Sequence, residues 1–312
     1  MTVAPWLREL GGGGMNSLQY VVLSLVLGAV AVWGSENWFW FVPPPDLSLP
    51  VFLLTIVFYA IAAACALSAV ILTGVRGWPA AFLGGAIIGY LSEGVMVGTI
   101  YDAFPIHMVW TPLAWHALLT GGVVFGLGRA GWPVGKLVLL WLAYGLFGAY
   151  WGQYWPLEHQ VLPGVAELGI YLVAAGLLVG GAQLVLDRSG ALPRPPLRVL
   201  LLAPGLVGLL WLWQTVAGFA PQRLALPLVL LLILWIMRRL GLRSEGGTSL
   251  GQSGGWRHGL FLIAPLVAVA VAPPLWGQEM GTLAANWVTL VATSLAALAA
   301  LGWLIWRAGR SA

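Results

Sequence analysis

The chain has 312 residues, of which 60% are hydrophobic and only 8% are charged, and its formal net charge is +4. Soluble domains carry about 25% charged residues, so this composition excludes an ordinary water-soluble globular protein and indicates a surface that faces hydrocarbon. The basic residues are scattered singly or in pairs between apolar runs, a pattern that sets orientation in a membrane. It predicts the lipid bilayer, and no nucleic acid, as the partner.

The amino-terminal segment, residues 1–15, is polar and glycine-rich, and we interpret it as a disordered tail. Ten apolar stretches follow, each close to the roughly 20 residues that a spanning helix needs. Proline-containing runs, which interrupt helices, separate several of them. The predicted spans cover residues 18–38, 50–74, 79–101, 108–128, 132–153, 164–186, 197–218, 222–240, 259–277 and 285–306. The sequence therefore predicts an all-α, polytopic integral membrane bundle of about ten transmembrane helices.

The longest polar stretch divides the membrane region into two parts. Residues 16–242 contain eight predicted spans, and residues 259–312 contain two. Between them, residues 243–258 read RSEGGTSLGQSGGWRH, and this glycine and serine content predicts a flexible loop. We expect the loop to lie in the cytoplasm.

The charges between the predicted spans differ in sign from one side of the membrane to the other. If the amino terminus is cytoplasmic, the inside segments hold Arg76, Arg129, Lys136, Arg188, Arg194, Arg198, Arg238, Arg239, Arg243, Arg257, Arg307 and Arg310. The outside segments hold Glu36, Asp46, Asp102, Glu158 and Glu279, with Arg223 as the one basic exception. Because basic residues favour the cytoplasmic side, this pattern predicts ten spans in the cell membrane with both termini in the cytoplasm.

Two polar residues within the third and fourth predicted spans are the strongest site candidates. Glu93 lies in the run GYLSEGVMVGTIYDAF, and His116 lies in MVWTPLAWHALLTGG. Each is eleven residues from the Phe104–Pro105 connection, so both are expected about 12–15 Å from the outer turn at a rise of 1.5 Å per residue. Consecutive helices are usually neighbours, so the two side chains are predicted to meet. Ionisable residues in a membrane are costly and mark functional sites, although a purely structural polar clamp between helices is the alternative.

Further polar residues are predicted around the outer mouth of this pair. Tyr101, Asp102 and His107 lie in the YDAFPIH run that joins the third and fourth spans, and Glu158 and His159 follow the fifth span. Histidines and carboxylates on one side can form an acid–base pair or a metal site. The sequence contains no HExxH, HxxxH or DxD run, so it specifies no metal and no cofactor. For Glu158 and His159, solvated loop residues are the favoured interpretation.

Glycine and tryptophan positions carry structural expectations. GxxxG runs at 85–89 and 94–98 in the third span and at 122–126 in the fourth predict close helix packing. Tryptophans near the outer boundary are typical of an aromatic belt at the headgroup level. They are Trp38, Trp40, Trp110, Trp155, Trp276 and Trp287.

Three functions are compatible with these features. The first is a transporter or permease for a small or lipid-like solute, with the Glu93–His116 site entered from outside and proton coupling through an imidazole that titrates near neutrality. The second is an intramembrane enzyme that uses the same residues on a lipid or isoprenoid substrate. The third is a non-catalytic membrane subunit or assembly factor. Ten spans with both ends on one side is the general plan of several small transporter families. The absence of a complete catalytic motif weighs against the enzyme, and the absence of a clear sequence repeat weighs against the transporter, which we nevertheless rank first.

Overall fold

The computed structural model describes residues 14–37, 48–158, 162–189, 192, 195–242, 254–276 and 282–310. In this part of the chain the regular structure is entirely helical, and ten helices are long and apolar enough to cross a membrane. They are α1 (Asn16–Ser35), α2 (Leu49–Thr73), α3 (Gly77–Met96), α4 (His107–Leu127), α5 (Val134–Leu157), α6 (Val165–Ser189), α7 (Leu197–Ala217), α8 (Pro221–Gly241), α9 (Gly255–Leu275) and α10 (Ala284–Gly309). The protein is thus a multi-pass helical membrane protein, as its composition predicts.

Three predicted boundaries differ from the structure by more than three residues. The fifth span was expected to end at 153, but α5 continues to Leu157. The third span was expected to run to residue 101, but α3 ends at Met96 because Gly98 adopts a left-handed φ of 91° and turns the chain. The ninth span was expected to begin at 259, but Gly255–Leu262 is already a 3-10 helix that leads into α9. The last residues of the predicted 243–258 loop are therefore helical. Residues 243–253 and 1–13 lie outside the described part, so the loop and tail predictions stand as predictions.

The bundle has two large apolar cores, and α1 and α4 contribute to both. One core joins α1–α4 with α7, α8 and α10. The other joins α1 and α4 with α5, α6 and α9. In α3 and α4, 72% of the apolar window is buried, the highest share among the ten helices. A residue on the shared face of α3 and α4 therefore lies at the centre of the protein, whereas α7 and α10 expose many large apolar side chains, as expected for a lipid-facing surface.

A proline within α7 removes one backbone hydrogen bond of that helix, and a side chain from another helix replaces it. Pro204 has no amide proton, so the carbonyl of Leu200 loses its intrahelical donor. The Ser68 hydroxyl on α2 donates to that carbonyl at 2.8 Å, and the Tyr20 hydroxyl on α1 lies 2.7 Å from the Ser68 oxygen. This polar relay ties three helices together where an unsatisfied carbonyl would be expensive.

Basic residues collect at one end of the bundle, which we call the basic end. It is the end at which α2, α4, α6, α8 and α10 finish, and contacts such as that between the Gln19 amide and the Ser189 carbonyl, at 3.0 Å, join helices there. At the opposite end, which we call the outer end after the orientation predicted from the sequence, the Trp276 indole donates to the Gly152 carbonyl at 3.0 Å. Among the described residues, the basic end holds Arg76, Arg129, Lys136, Arg188, Arg198, Arg238, Arg239, Arg257, Arg307 and Arg310, with Asp187 as the acid.

The aromatic-belt prediction was wrong for two tryptophans. Trp110 and Trp155 are buried, and Trp110 packs edge-on against Trp115, with ring centroids 5.2 Å apart. Their indole rings bury more apolar area in the core than at an interface. Trp287 is exposed as predicted, and Trp38 and Trp40 lie outside the described residues.

Candidate functional site

The candidate site forms where α3 and α4 approach most closely. A Cβ atom on Gly85 would collide with the His116 carbonyl oxygen, and a Cβ atom on Gly89 would lie 2.6 Å from the His116 Cβ. A Cβ on Gly121 would likewise collide with the Ala81 carbonyl oxygen. Small residues that admit a neighbouring backbone are the usual basis of tight helix pairs in membranes. The close packing predicted for the 85–89 and 122–126 runs is confirmed, and it brings the fourth helix within reach of Glu93. For the 94–98 run the prediction was wrong, because Gly98 lies beyond α3 and an added Cβ there would meet nothing within 4 Å.

Both key side chains lie on π-helical backbone. Glu93 belongs to Ser92–Met96, and His116 belongs to Trp110–Leu127. In the first of these segments, the Val97 amide donates to a carbonyl five residues earlier, at 2.9 Å. π-helical turns are rare and occur frequently at functional sites. A π-helical turn contains more residues than an α-helical turn, so it changes which residues face the partner helix. The hydrophobic periodicity of the sequence does not reveal this change.

The predicted contact between Glu93 and His116 is present. His116 Nε2 lies 3.2 Å from Glu93 Oε1, and the two side chains are only 2% and 12% exposed, respectively. The other carboxylate oxygen, Oε2, accepts a hydrogen bond from the Thr99 hydroxyl. An ionised carboxylate only accepts hydrogen bonds, so against it Nε2 carries the proton. The buried carboxylate therefore has a donor on each oxygen, which lowers its desolvation cost.

The second ring nitrogen of His116 is in a different situation. Nδ1 is buried and has no hydrogen-bond partner among the described residues. Tyr59 of α2 stacks on the imidazole, with ring centroids 5.8 Å apart and an interplanar angle of 29°. The His116 ring is thus held by the Glu93 carboxylate at one edge and by the Tyr59 ring against one face. In the neutral imidazole, Nδ1 offers a lone pair that can accept a proton.

A short turn connects the pair to the outer end. Gly98 turns the chain after α3, and the 3-10 turn Thr99–Tyr101 follows. His107, at the start of α4, donates through Nδ1 to the Thr99 carbonyl at 3.0 Å. Thr99 thereby touches Glu93 with its side chain and His107 with its backbone. Of the predicted mouth residues, His107 is joined to the pair in this indirect way.

The remaining predicted site residues are placed differently. Tyr101 is half-buried, and the Arg223 guanidinium lies 4.9 Å from its ring centroid. Burial raises the pKa of the Tyr101 phenol, although the Arg223 charge acts in the opposite direction. Asp102 is exposed in the turn, where its backbone amide donates to the Thr99 carbonyl at 3.2 Å. The Glu158 side chain and His159 lie outside the described residues.

A second buried polar cluster, at the basic end, was not predicted. Asp187 Oδ1 accepts a hydrogen bond from Arg129 Nη2 at 2.8 Å, and Oδ2 lies 2.9 Å from His258 Nε2. The amides of Gly254 and Gly255 also donate to Oδ2, each at 2.9 Å. Burial lowers the pKa of the Arg129 guanidinium, and Asp187 opposes this effect. The cluster ties the ends of α4 and α6 to the start of α9.

Sequence reasoning missed these partners for identifiable reasons. Thr99 is a common residue in a connection, and only the left-handed Gly98 before it signals that the chain turns back toward Glu93. Asp187 directly follows the predicted sixth span and His258 falls within the predicted flexible loop, so neither position indicates a buried partner. The available signal was one acid next to many arginines, which is consistent with a buried ion pair but does not name the partner.

The described residues contain no group of three or more histidine, cysteine or acidic side chains that could hold a metal ion. The site is instead a carboxylate–imidazole pair with one open nitrogen and a hydrogen-bonded connection toward the outer end. Comparison of the chain with protein family models, with curated proteins and with solved structures found no match to any of the three.

Proposed function

We propose that this protein is a proton-coupled permease of the cell membrane for a small or lipid-like solute, and that Glu93 and His116 bind the coupled proton. The observation that carries the proposal is the buried pair itself, at 3.2 Å, with Nδ1 of His116 open. Keeping a carboxylate and an imidazole inside a bundle is costly, and exchange of a proton between them uses both groups. His116 Nδ1, which has no hydrogen-bond partner among the described residues, offers a second position for a proton.

The connection through Thr99 supports access from outside. It runs from the Glu93 carboxylate to the Thr99 hydroxyl and from the Thr99 carbonyl to His107, close to the exposed turn that contains Asp102. We assign the basic end to the cytoplasm because basic residues favour that side. The turn with Asp102 then faces outward, and the pair exchanges protons with the outer medium.

The test is the Glu93→Gln substitution. Glutamine keeps the size of the side chain and its ability to hydrogen-bond His116 but cannot take up a proton. We expect this variant to fail to restore the wild-type phenotype to a gene-deletion strain. The purified variant should still melt in detergent near the wild-type temperature. The matched control is Glu167→Gln, which alters an exposed carboxylate on α6 and is expected to complement fully. Glu158→Gln and His159→Ala are expected to be milder than Glu93→Gln. Full complementation by Glu93→Gln would leave only a structural role for the pair.

An intramembrane enzyme is the second candidate, and one observation favours it. A histidine whose Nε2 is oriented by a carboxylate while its other nitrogen is open has the arrangement of a general base. The two candidates differ in their product. A permease moves a solute unchanged, whereas the enzyme creates a new compound, which mass spectrometry of membrane lipids incubated with the purified protein would detect.

A further inference from the structure

A cavity of about 450 Å³ lies in the half of the bundle nearest the basic end. Trp78 and Trp132 line the cavity near the basic end, and it extends between α1, α2, α3, α4 and α6 as far as Ile88. From Gly77 to Ile88 along α3 this is about 16 Å, at a rise of 1.5 Å per residue. Its volume falls within the range of about 300–1,000 Å³ for small-molecule sites.

The cavity exists because two helices present small residues to each other. Ala63 and Ala66 of α2 face Ala81 and Gly84 of α3 across it, and the other walls are mostly apolar. A Cβ atom added to Gly84 would meet only the Ala66 Cβ, at 3.9 Å, so open space lies beyond that position. A long, narrow and apolar space fits a hydrocarbon chain and offers too few polar partners for a water-soluble solute.

The end of the cavity lined by Trp78 and Trp132 is aromatic and has cations nearby. Lys136 Nζ lies 6.0 Å from the ring centroid of Trp132. Trp78 packs edge-on against Trp303, whose ring centroid is 4.8 Å from the Arg307 guanidinium carbon. Arg129, which is paired with Asp187, is the charged residue in the lining itself. This arrangement is complementary to an anionic headgroup at the membrane interface.

We propose that the cavity binds an anionic amphiphile, with one hydrocarbon chain between α2 and α3 and the headgroup between Lys136 and Arg307. This proposal rests on the permease function above, for which it names the solute class. The cavity is coupled to the proton site through α3: Gly85 lines the cavity and also abuts the His116 carbonyl. The amphiphile and the proton therefore occupy neighbouring positions on one tightly packed helix pair.

The test is photolabelling of the full-length protein in phosphatidylcholine nanodiscs with a palmitate that carries a diazirine on its chain. We expect peptide mapping to place the label on residues that line the cavity. Unlabelled dodecyl phosphate or phosphatidylglycerol should reduce labelling, and dodecyltrimethylammonium should not. Competition by the single-chain phosphate alone indicates a soluble amphiphile, and competition by phosphatidylglycerol indicates a membrane lipid. Both results support the proposal, whereas equal competition by the cation overturns it.

Two variants make the result specific. Gly84→Leu fills the cavity and is expected to abolish labelling, whereas Gly181→Leu, at an exposed position of α6 with nothing within 4 Å of the added Cβ, should label like the wild type. Lys136→Gln, at an exposed side chain, should weaken competition by dodecyl phosphate about fivefold, as expected for one basic residue near an anionic lipid. If the Gly84→Leu protein is labelled like the wild type, the probe binds somewhere other than the cavity. This conclusion holds even if the substitution lowers the stability of the protein.

Failure of this proposal is distinguishable from failure of the proposed function. Labelling of the Glu93→Gln variant is expected to match the wild type, since Glu93 does not line the cavity. If Glu93→Gln complements fully but labelling behaves as described, the amphiphile site stands and the proton function falls. If the Gly84→Leu protein is labelled like the wild type while Glu93→Gln is inactive, the proton function stands and the amphiphile site falls.

Discussion

Glu93 and Asp187 are both buried carboxylates, yet their surroundings differ in a way that separates function from structure. Asp187 is surrounded by donors: a guanidinium, an imidazole and two backbone amides. Glu93 has two partners, and one of them, His116, keeps a nitrogen open. A fully satisfied cluster fixes geometry, whereas a partly satisfied one retains a group that can still react. We therefore assign Asp187 to the stability of the fold.

This assignment predicts the effect of the Asp187→Ala substitution. Removing the carboxylate leaves Arg129 buried at 4% exposure without its counter-charge, and breaking a buried pair in this way costs about 3–5 kcal/mol. We expect a clearly lower melting temperature in detergent. Glu167→Ala, which removes an exposed carboxylate from the same helix, is the control and should melt like the wild type. Equal melting of the two variants would show that the Asp187 cluster does not stabilise the fold.

At the scale of elements, the α3–α4 pair positions the site, and glycines determine how near the two helices come. The contact at Gly89 leaves no space for a side chain: an added Cβ would lie 2.7 Å from the Pro112 Cα as well as against His116. Both neighbours belong to α4, so neither can yield without moving that helix. The separation between Glu93 and His116 therefore depends on this glycine.

Gly89→Ala is accordingly expected to be destabilising and inactive. Forcing one methyl group into a tightly packed contact typically costs about 1–3 kcal/mol, and the shift of α4 would lengthen the 3.2 Å contact between Glu93 and His116. Gly181→Ala, at an exposed position of α6 where an added Cβ meets nothing within 4 Å, is the control. Melting temperature and complementation measure the two effects. A Gly89→Ala protein that melts and complements like Gly181→Ala contradicts the proposed role of the close approach.

At the scale of the whole molecule, the ten helices and the charge asymmetry together predict the orientation. Ten crossings place the start of α1 and the end of α10 at the same end of the bundle, and the described arginines other than Arg223 collect there. The positive-inside rule then assigns this end to the cytoplasm. We therefore predict that Glu93, Thr99 and the exposed Asp102 turn are oriented toward the outside.

Single-cysteine labelling with an impermeant reagent tests the orientation. The background is Cys65→Ala, which removes a buried thiol at little cost. We expect Asp102→Cys to react in intact cells and Leu242→Cys, at an exposed position beyond α8, to react only after the membrane is opened. The pattern with the two positions exchanged would invert the topology, and labelling of both in intact cells would contradict the span count.

The sequence alone determined the class of the protein, the approximate place of ten helices and the meeting of Glu93 with His116. Hydrophobic length is a local property, and these two residues lie on consecutive helices joined by a short connection, so spacing was informative even though α3 ends earlier than predicted. The tertiary structure decided everything that depends on distant segments. Asp187 and His258 are 71 positions apart, Tyr59 reaches His116 from another helix, and the cavity is bounded by five helices. Contacts of this kind follow from which faces pack together, and in an almost wholly apolar chain the helices carry little periodicity that would reveal those faces.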